Sequence, residues 1–239
     1  MMIVNLKQGL LPFQNRSKFT LKTFVSSHEI NFIKLSETLN LSESQQTFLF
    51  QGPRGYGKTH LLQSLCNASY HHGMRCQYWP LNNLNHDLSK MLDGSEHCDL
   101  ICLDDIHMIM NHPEHEEYIF NLLNKCQESG TNLAISIRPT LKTLPYSLPD
   151  LKSRLSAMLY IPLKPLTDEE KLQALQCRSL HLGVEIPDSL IHYLIHHTSR
   201  DNTQLFSHID SLIDTCLIEK RKPTLPLLKK VLDQCELSS

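Results

Sequence analysis

Residues 51–59 constrain the fold of this chain more than any other stretch. They read Gln-Gly-Pro-Arg-Gly-Tyr-Gly-Lys-Thr and follow the apolar run 48–50, Phe-Leu-Phe. The spacing GxxxxGK followed by Ser or Thr is typical of a phosphate-binding loop, whose glycines let backbone N–H groups turn inward on a phosphate. Because such a loop joins a strand to a helix, it predicts an α/β domain. The alternative, a glycine-rich turn with a chance lysine, is disfavoured by the apolar patterns on both sides.

The loop has the groups that a nucleotide and Mg²⁺ require. Lys58 provides a positive charge for the outer phosphates, and the hydroxyl of Thr59 is a ligand for Mg²⁺. A helix that begins at Lys58 adds the positive end of its dipole. The expected nucleotide-binding residues are Gly52, Pro53, Arg54, Gly55, Tyr56, Gly57, Lys58, Thr59 and His60.

Strand and helix patterns alternate around this loop. Alternation of this kind predicts a parallel sheet with helices on both of its faces. The predicted strands are 48–51, 76–80, 100–104, 133–137 and 158–163, and the predicted helices are 58–70, 84–92, 114–128 and 148–155. Earlier in the chain, residues 20–25 are rich in β-forming side chains and residues 27–39 have a helical pattern.

The pattern becomes entirely helical after Pro165. Thr167 is followed by three acidic residues, which is typical of the start of a helix. The helices predicted here are 168–181, 187–197, 201–221 and 225–234. We therefore expect an N-terminal arm at 1–19, a nucleotide-binding α/β domain at 20–164 and a small helical domain at 165–239.

Two predicted strands end in polar residues that suit phosphate chemistry. The apolar strand 100–104 ends at Asp104 and is followed by Asp105. The first carboxylate is expected to position Mg²⁺ and the second to polarise an attacking water. Ser136, near the end of the strand 133–137, is expected to reach a γ-phosphate or that water. The alternatives are an acidic pair that opens a loop and a serine that forms a turn.

Arg154 lies near the end of the short predicted helix 148–155. An arginine at the edge of a subunit can project into a neighbour's nucleotide site and stabilise transition-state charge there. The alternative is a surface arginine paired with Asp150 at i, i+4, which would contribute only a few tenths of a kcal/mol.

The first residues contain a second candidate for contact with a partner. Residues 8–13 read Gln-Gly-Leu-Leu-Pro-Phe. Leu and Phe beside Pro in an extended segment can dock into a partner's hydrophobic pocket, while Gln8 makes a polar contact. The alternative is an arm that folds back on its own domain.

Composition and charge narrow the classes of function. The net charge of −2 shows no basic excess of the kind that non-specific nucleic-acid binding requires. Eight scattered cysteines without a CxxC pair indicate reduced thiols in a cytoplasm. No apolar run approaches the roughly 20 residues that cross a bilayer. The histidines form no HExxH motif, so we expect no zinc site.

With these residues in place, the chain resembles the AAA+ domain of the bacterial DnaA family, and most closely the Hda group of DnaA-related regulatory inactivators. The resemblance extends from about residue 24 to 232. It also rests on two longer strings, 148–155 and 163–176, which read Leu-Pro-Asp-Leu-Lys-Ser-Arg-Leu and Leu-Lys-Pro-Leu-Thr-Asp-Glu-Glu-Lys-Leu-Gln-Ala-Leu-Gln. It implies an AAA+ P-loop fold with a five-stranded parallel sheet and a helical lid domain after Pro165.

The resemblance also implies roles and partners. Arg154 would be an arginine finger, Asp105 and Ser136 (the first sensor) would act in hydrolysis, and Thr59 and Asp104 would hold Mg²⁺. The implied cofactor is ADP or ATP, and the implied partners are DnaA and the β sliding clamp of DNA polymerase III, with DNA met through the clamp. A homodimer and a monomer both stay open. The residues that resemble the clamp-binding motif are Gln8, Leu11, Pro12 and Phe13.

Two positions depart from the family pattern. Ile137 stands where an acidic residue is usual before the Arg-Pro pair, and Thr203 stands where the lid has a nucleotide-sensing arginine. Because the sequence ends at Ser239, we expect no initiator-type DNA-binding domain after the lid, which favours a regulator over an initiator. The other functions that stay open are a self-assembling AAA+ motor or helicase-loader-like ATPase with its own turnover, and a pure adaptor.

Overall fold

The structure is a computed structural model that describes residues 19–25, 44–82, 97–198 and 202–237, with the single positions 35, 37, 39, 88 and 94. The clamp-motif prediction at 8–13 and most of the helices predicted at 27–39 and 84–92 lie outside these residues. The chain divides into two compact units. Their main boundary in the sequence lies between Leu163 and Lys164, and the described residues 22–25 and 54–56 are grouped with the second unit.

The first unit contains a five-stranded parallel sheet. Its strands are β1 (Thr47–Gln51), β2 (Cys76–Pro80), β3 (Leu100–Asp104), β4 (Asn132–Ile137) and β5 (Leu159–Pro162). All neighbouring strands are parallel, and their order is β2-β3-β4-β1-β5. Every residue of β3 and β4 is buried, as expected for central strands that are covered on both faces. The predicted fold class is confirmed.

The register of the strands brings their carboxyl ends to one edge. Gln51 lies opposite Ile137, and Pro80 lies opposite Asp104. Asp104 therefore emerges next to the end of β4, which itself borders the loop that follows β1. This is the edge at which parallel α/β sheets bind their ligands.

The described ranges contain seven α-helices with defined bounds, three in this unit and four in the second. The first three are α1 (Lys58–His71), α2 (Pro113–Ser129) and α3 (Pro149–Ser156). The second unit contains α4 (Asp168–His181), α5 (Asp188–His197), α6 (Asn202–Glu219) and α7 (Leu225–Leu237). All seven agree with the predicted helices to within a few residues at each end. None of the helices in the described residues is both long and apolar enough to cross a membrane.

Residues 20–25, although rich in β-forming side chains, contain a 3-10 turn at Leu21–Thr23. Just before that turn, the carbonyl of Phe19 accepts a hydrogen bond from Asn67 Nδ2 of α1, and the Phe19 ring packs edge-on against His60. The segment has no strand partner among the described residues, and β-forming side chains do not make a strand without one.

The second unit has its own core and a well-capped start. α4 begins where the sequence predicts, and Thr167 and Glu170 form a capping box there. Inside the unit, Arg178 makes a bidentate ion pair with Asp210, with both distances 2.6 Å. The apolar core of the unit includes Leu175, Ile191, Leu194, Leu205, Ile209, Leu212, Ile213 and Leu228.

Candidate nucleotide-binding site

The loop between β1 and α1 has the backbone that its glycines predict. Gly55 and Gly57 both have φ of 81°, a left-handed conformation that favours glycine. The N–H of Gly52 donates to the carbonyl of Ile137 at 3.1 Å, which ties the start of the loop to β4. At its other end, the carbonyl of Gly57 accepts the N–H of Leu61 at 2.8 Å, which is the first bond of α1.

Lys58 is buried at this loop. Its Nζ donates to the carbonyl oxygens of Gly52 and Pro53, at 2.7 and 2.8 Å. Burial lowers the pKa of Lys58, and the nearby charges of Asp105 and Asp104 act in the opposite direction. The ammonium group therefore lies within the loop itself, where a phosphate charge would be compensated.

Asp104 joins three elements through its buried carboxylate. Its Oδ2 accepts the hydroxyls of Thr59 at 2.6 Å and Tyr78 at 2.8 Å, and its Oδ1 accepts the hydroxyl of Ser136. The structure thus brings together Thr59, Asp104 and Ser136, which the sequence analysis singled out separately. A hydroxyl beside a carboxylate is an oxygen donor set of the kind that Mg²⁺ prefers, so these residues fit the implied metal.

Tyr78 was missed by sequence reasoning. It lies on β2, and burial together with the neighbouring Asp104 raises the pKa of its phenol. The hydroxyl therefore stays protonated and acts as a donor to the carboxylate. Its only sequence signal was its position two residues before the end of a strand adjacent to β3.

Asp105 is held in a strained conformation beside the loop. Its φ of 59° and ψ of 47° are left-handed, which costs a non-glycine residue about 1–2 kcal/mol. Its N–H donates to Ser136 Oγ at 2.8 Å, and its carboxylate accepts Arg138 Nη2 at 2.7 Å and Nε at 3.3 Å. Gln51 Nε2 donates to the Arg138 carbonyl at 3.0 Å. Ser136 therefore orients both acidic residues, and Arg138 holds the second.

Two predicted residues lie apart from this cluster. The His60 ring faces Phe19, with ring centroids 5.3 Å apart. Arg154 lies in the last turn of α3, where it donates to Gln127 Oε1 of α2. The alternative ion pair between Arg154 and Asp150 is not formed.

Glu116 supports the segment that leads into α3, although sequence reasoning gave it no role. This fully buried residue of α2 accepts the N–H groups of Asn111 at 2.8 Å, Ser147 at 2.9 Å and Leu148 at 2.8 Å. It thereby fixes the backbone immediately before the helix that carries Arg154. In sequence, Glu116 is one of several acidic residues at the start of a helix and carries no distinguishing signal.

Replacing Glu116 with glutamine is expected to destabilise the first unit by about 2–4 kcal/mol, because the amide donates where the carboxylate accepts and leaves buried N–H groups unpaired. Urea unfolding followed by fluorescence of the single tryptophan, Trp79, measures the change. The neighbouring exposed Glu117→Gln variant is the control and should change stability by less than about 0.5 kcal/mol. Equal effects of the two substitutions would contradict the role of Glu116.

The strand order, the loop after β1, the acidic pair after β3, the serine near the end of β4 and the helical unit after β5 together define an AAA+ P-loop domain. Comparison with known families makes the assignment more specific. Residues 15–163 match the family model of the bacterial DnaA ATPase domain, and residues 168–232 match that of the Hda lid domain. The chain belongs to the bacterial DnaA ATPase domain family, and its second unit is an Hda-type lid.

Individual proteins are similar to this chain in sequence or in fold. A protein of Haemophilus influenzae, described only as uncharacterized, is 33% identical over 229 residues, which cover 95% of this chain and 99% of that protein. Domain III of DnaA from Thermotoga maritima is similar in structure, with a TM-score of 0.74 and 18% identity over 90% of this chain and 95% of that one. AMPPCP-bound DnaA from Aquifex aeolicus has a TM-score of 0.64 and 20% identity, over 84% of this chain and 66% of that one.

Proposed function

We propose that this chain is a negative regulator of replication initiation that acts on DnaA. In this proposal it holds ADP or ATP with Mg²⁺ at residues 52–60 and binds the β sliding clamp through Gln8, Leu11, Pro12 and Phe13. It then presents Arg154 to ATP bound by DnaA, and hydrolysis in DnaA inactivates the initiator. The match of the second unit to the Hda lid domain supports a regulator related to replication initiation.

The position of Arg154 is the observation that carries this proposal. Its side chain is partly exposed, and its hydrogen bond goes to Gln127 rather than to the cluster around Asp104 and Asp105. Because Arg154 makes no hydrogen bond to the residues around Asp104 and Asp105, its guanidinium is available to contact a second protein. An arginine finger supplied in trans accelerates hydrolysis by roughly 10³–10⁵-fold.

The chain's own residues account for nucleotide binding. The N–H groups of the loop and the ammonium of Lys58 would hold the phosphates, and Thr59 with Asp104 would hold Mg²⁺. Bound Mg²⁺ would neutralise charge on the phosphate oxygens. The related DnaA of Aquifex aeolicus is bound to AMPPCP in its structure, which supports an adenine nucleotide at the equivalent loop here.

The ion pair between Arg138 and Asp105 supports slow turnover by the chain itself. A carboxylate that accepts two guanidinium N–H groups is a weaker acceptor for the proton of an attacking water. The Arg138→Ala variant is therefore expected to hydrolyse ATP about tenfold faster than wild type, and adding Asp105→Asn should remove the gain. Phosphate release by the isolated protein measures both. Unchanged or slower ATP turnover in Arg138→Ala would contradict the proposal that Arg138 restrains hydrolysis. Fast turnover by the wild type that is lost in Asp105→Asn would favour the motor alternative.

A reconstituted hydrolysis assay tests the proposed function as a whole. Purified chain, clamp, DNA and ATP-loaded DnaA are combined, and ADP formation on DnaA is followed. Stimulation is expected only when clamp and DNA are both present, and removal of residues 1–14 should abolish it. Stimulation that is independent of the clamp would contradict the role of the N-terminal motif.

A further inference from the structure

The turn between α6 and α7 of the lid carries a concentration of positive charge that the proposed function does not use. Five cations lie within eleven positions, whereas the whole chain has a net charge of −2. We call this group the basic turn, and its members are Lys220, Arg221, Lys222, Lys229 and Lys230. All five are exposed. The average charge of the chain therefore hides a local excess.

The lid holds the basic turn in a defined shape. α6 ends at Glu219, the following Lys220 has a φ of 51° that reverses the chain, and the N–H of Arg221 donates to the carbonyl of Cys216 at 3.0 Å. α7 then begins at Leu225, and the buried residues Leu227 and Leu228 fix it to the lid core. The charged side chains thus stand on a rigid support, so little backbone ordering is needed when they bind.

The reversal brings cations from both sides of the turn together. Arg221 Nη1 lies 3.2 Å and Lys230 Nζ 3.7 Å from the same carboxylate, that of Glu219. These two cations keep 68% and 58% of their side-chain surface exposed, so both can contact a ligand as well. With Lys222 and Thr224 they line a cavity of about 450 Å³ at the start of α7. Three cations against one carboxylate leave this cavity positive.

We propose that the basic turn binds the phosphate backbone of duplex DNA directly. Lysine, arginine and a threonine hydroxyl are the donors that proteins use for phosphate oxygens. Among the described residues, the lining of the cavity includes no aromatic side chain on which an unpaired base could stack, which disfavours single-stranded nucleic acid. Contact with phosphates alone is independent of base sequence. The choice of DNA over another polyanion rests on the proposed function, in which the chain is bound to a clamp that encircles DNA.

Duplex binding by the full chain, without clamp or DnaA, tests this inference. Fluorescence anisotropy of a labelled duplex should give a dissociation constant of roughly 10⁻⁴–10⁻⁶ M that weakens as salt rises. The triple variant Arg221→Ala, Lys222→Ala, Lys230→Ala should bind at least tenfold more weakly. Its slope of log K against log salt should be smaller in magnitude by about 0.9 per cation removed. The variant Lys222→Arg, Lys230→Arg keeps the charge and should bind as wild type does.

The matched control removes three exposed cations elsewhere, Lys142→Ala, Lys152→Ala and Lys164→Ala. An equal loss of duplex affinity in this control would overturn the inference. Unchanged duplex binding by the variant Arg221→Ala, Lys222→Ala, Lys230→Ala would also overturn it. Binding to phosphatidylglycerol vesicles without binding to duplex would also overturn it. Because neither DnaA nor the clamp is present in this assay, an absence of duplex binding would leave the proposed function intact. If the chain binds duplex but does not stimulate DnaA, the result counts against the proposed function alone.

Discussion

The Arg154→Ala variant should fail to stimulate DnaA, with a loss of about 10³-fold or more in the rate of ATP hydrolysis on the initiator. The reason is that only a cationic, multidentate donor stabilises the charge that develops on the transferring phosphoryl group. Single-turnover hydrolysis of radiolabelled ATP on DnaA, with clamp and DNA present, measures the effect. The chain's own affinity for nucleotide should stay as in wild type, because Arg154 makes no contact with Asp104, Asp105 or Lys58.

Lys152→Ala on the same helix is the matched control for this prediction. It removes an exposed cation two positions away and should retain stimulation to within about twofold, since only a non-specific charge effect would be lost. If both variants stimulate like wild type, Arg154 is not the finger. If Arg154→Ala is inactive only because clamp binding is lost, a clamp pull-down will show it.

The second large effect is expected at Lys58. Lys58→Ala should weaken nucleotide binding by about 100-fold or more, because the loop then lacks the buried ammonium that compensates phosphate charge. Ligand-induced stabilisation provides the readout. At a nucleotide concentration near 100 times the wild-type dissociation constant, wild type should gain about 2.7 kcal/mol and the variant much less.

Lys142→Ala, an exposed cation in the turn Leu141–Thr143, is the control for this experiment. It should keep the full nucleotide-induced stabilisation. Stability without nucleotide is measured for both variants, since Lys58 also donates to two loop carbonyls. Full stabilisation of Lys58→Ala by ATP or ADP would contradict nucleotide binding at this loop.

Much of the candidate site was predictable because parallel strands share an edge. Asp104 and Ser136 each lie near the carboxyl end of a strand, and Thr59 lies in the first turn of the helix that follows a third strand. In a parallel sheet these ends lie at one edge, so their proximity can be predicted without knowing any side-chain contact. The helix bounds could also be predicted, because they follow from apolar periodicity and from capping residues such as Thr167 and Glu170.

Other parts of the site depend on contacts that the sequence does not display. Tyr78 reaches Asp104 because of the register of β2 against β3, and Arg138, which directly follows β4, reaches Asp105 at the end of the neighbouring β3. Arg154 was predicted to have a local alternative partner four residues away, Asp150, but its hydrogen bond goes to Gln127 on another helix. Local spacing rules describe neighbours on one helix and do not determine which elements pack together.

The direct test of the central claim is the position of Arg154 in a complex of the chain with clamp, DNA and DnaA, trapped with ADP and aluminium fluoride. The structure of that complex gives the distance between the Arg154 guanidinium and the fluoroaluminate on DnaA. We expect hydrogen-bond distances of about 2.7–3.1 Å, with the bond to Gln127 broken. An Arg154 that stays on Gln127, with another group at the transferring phosphoryl, would contradict the claim.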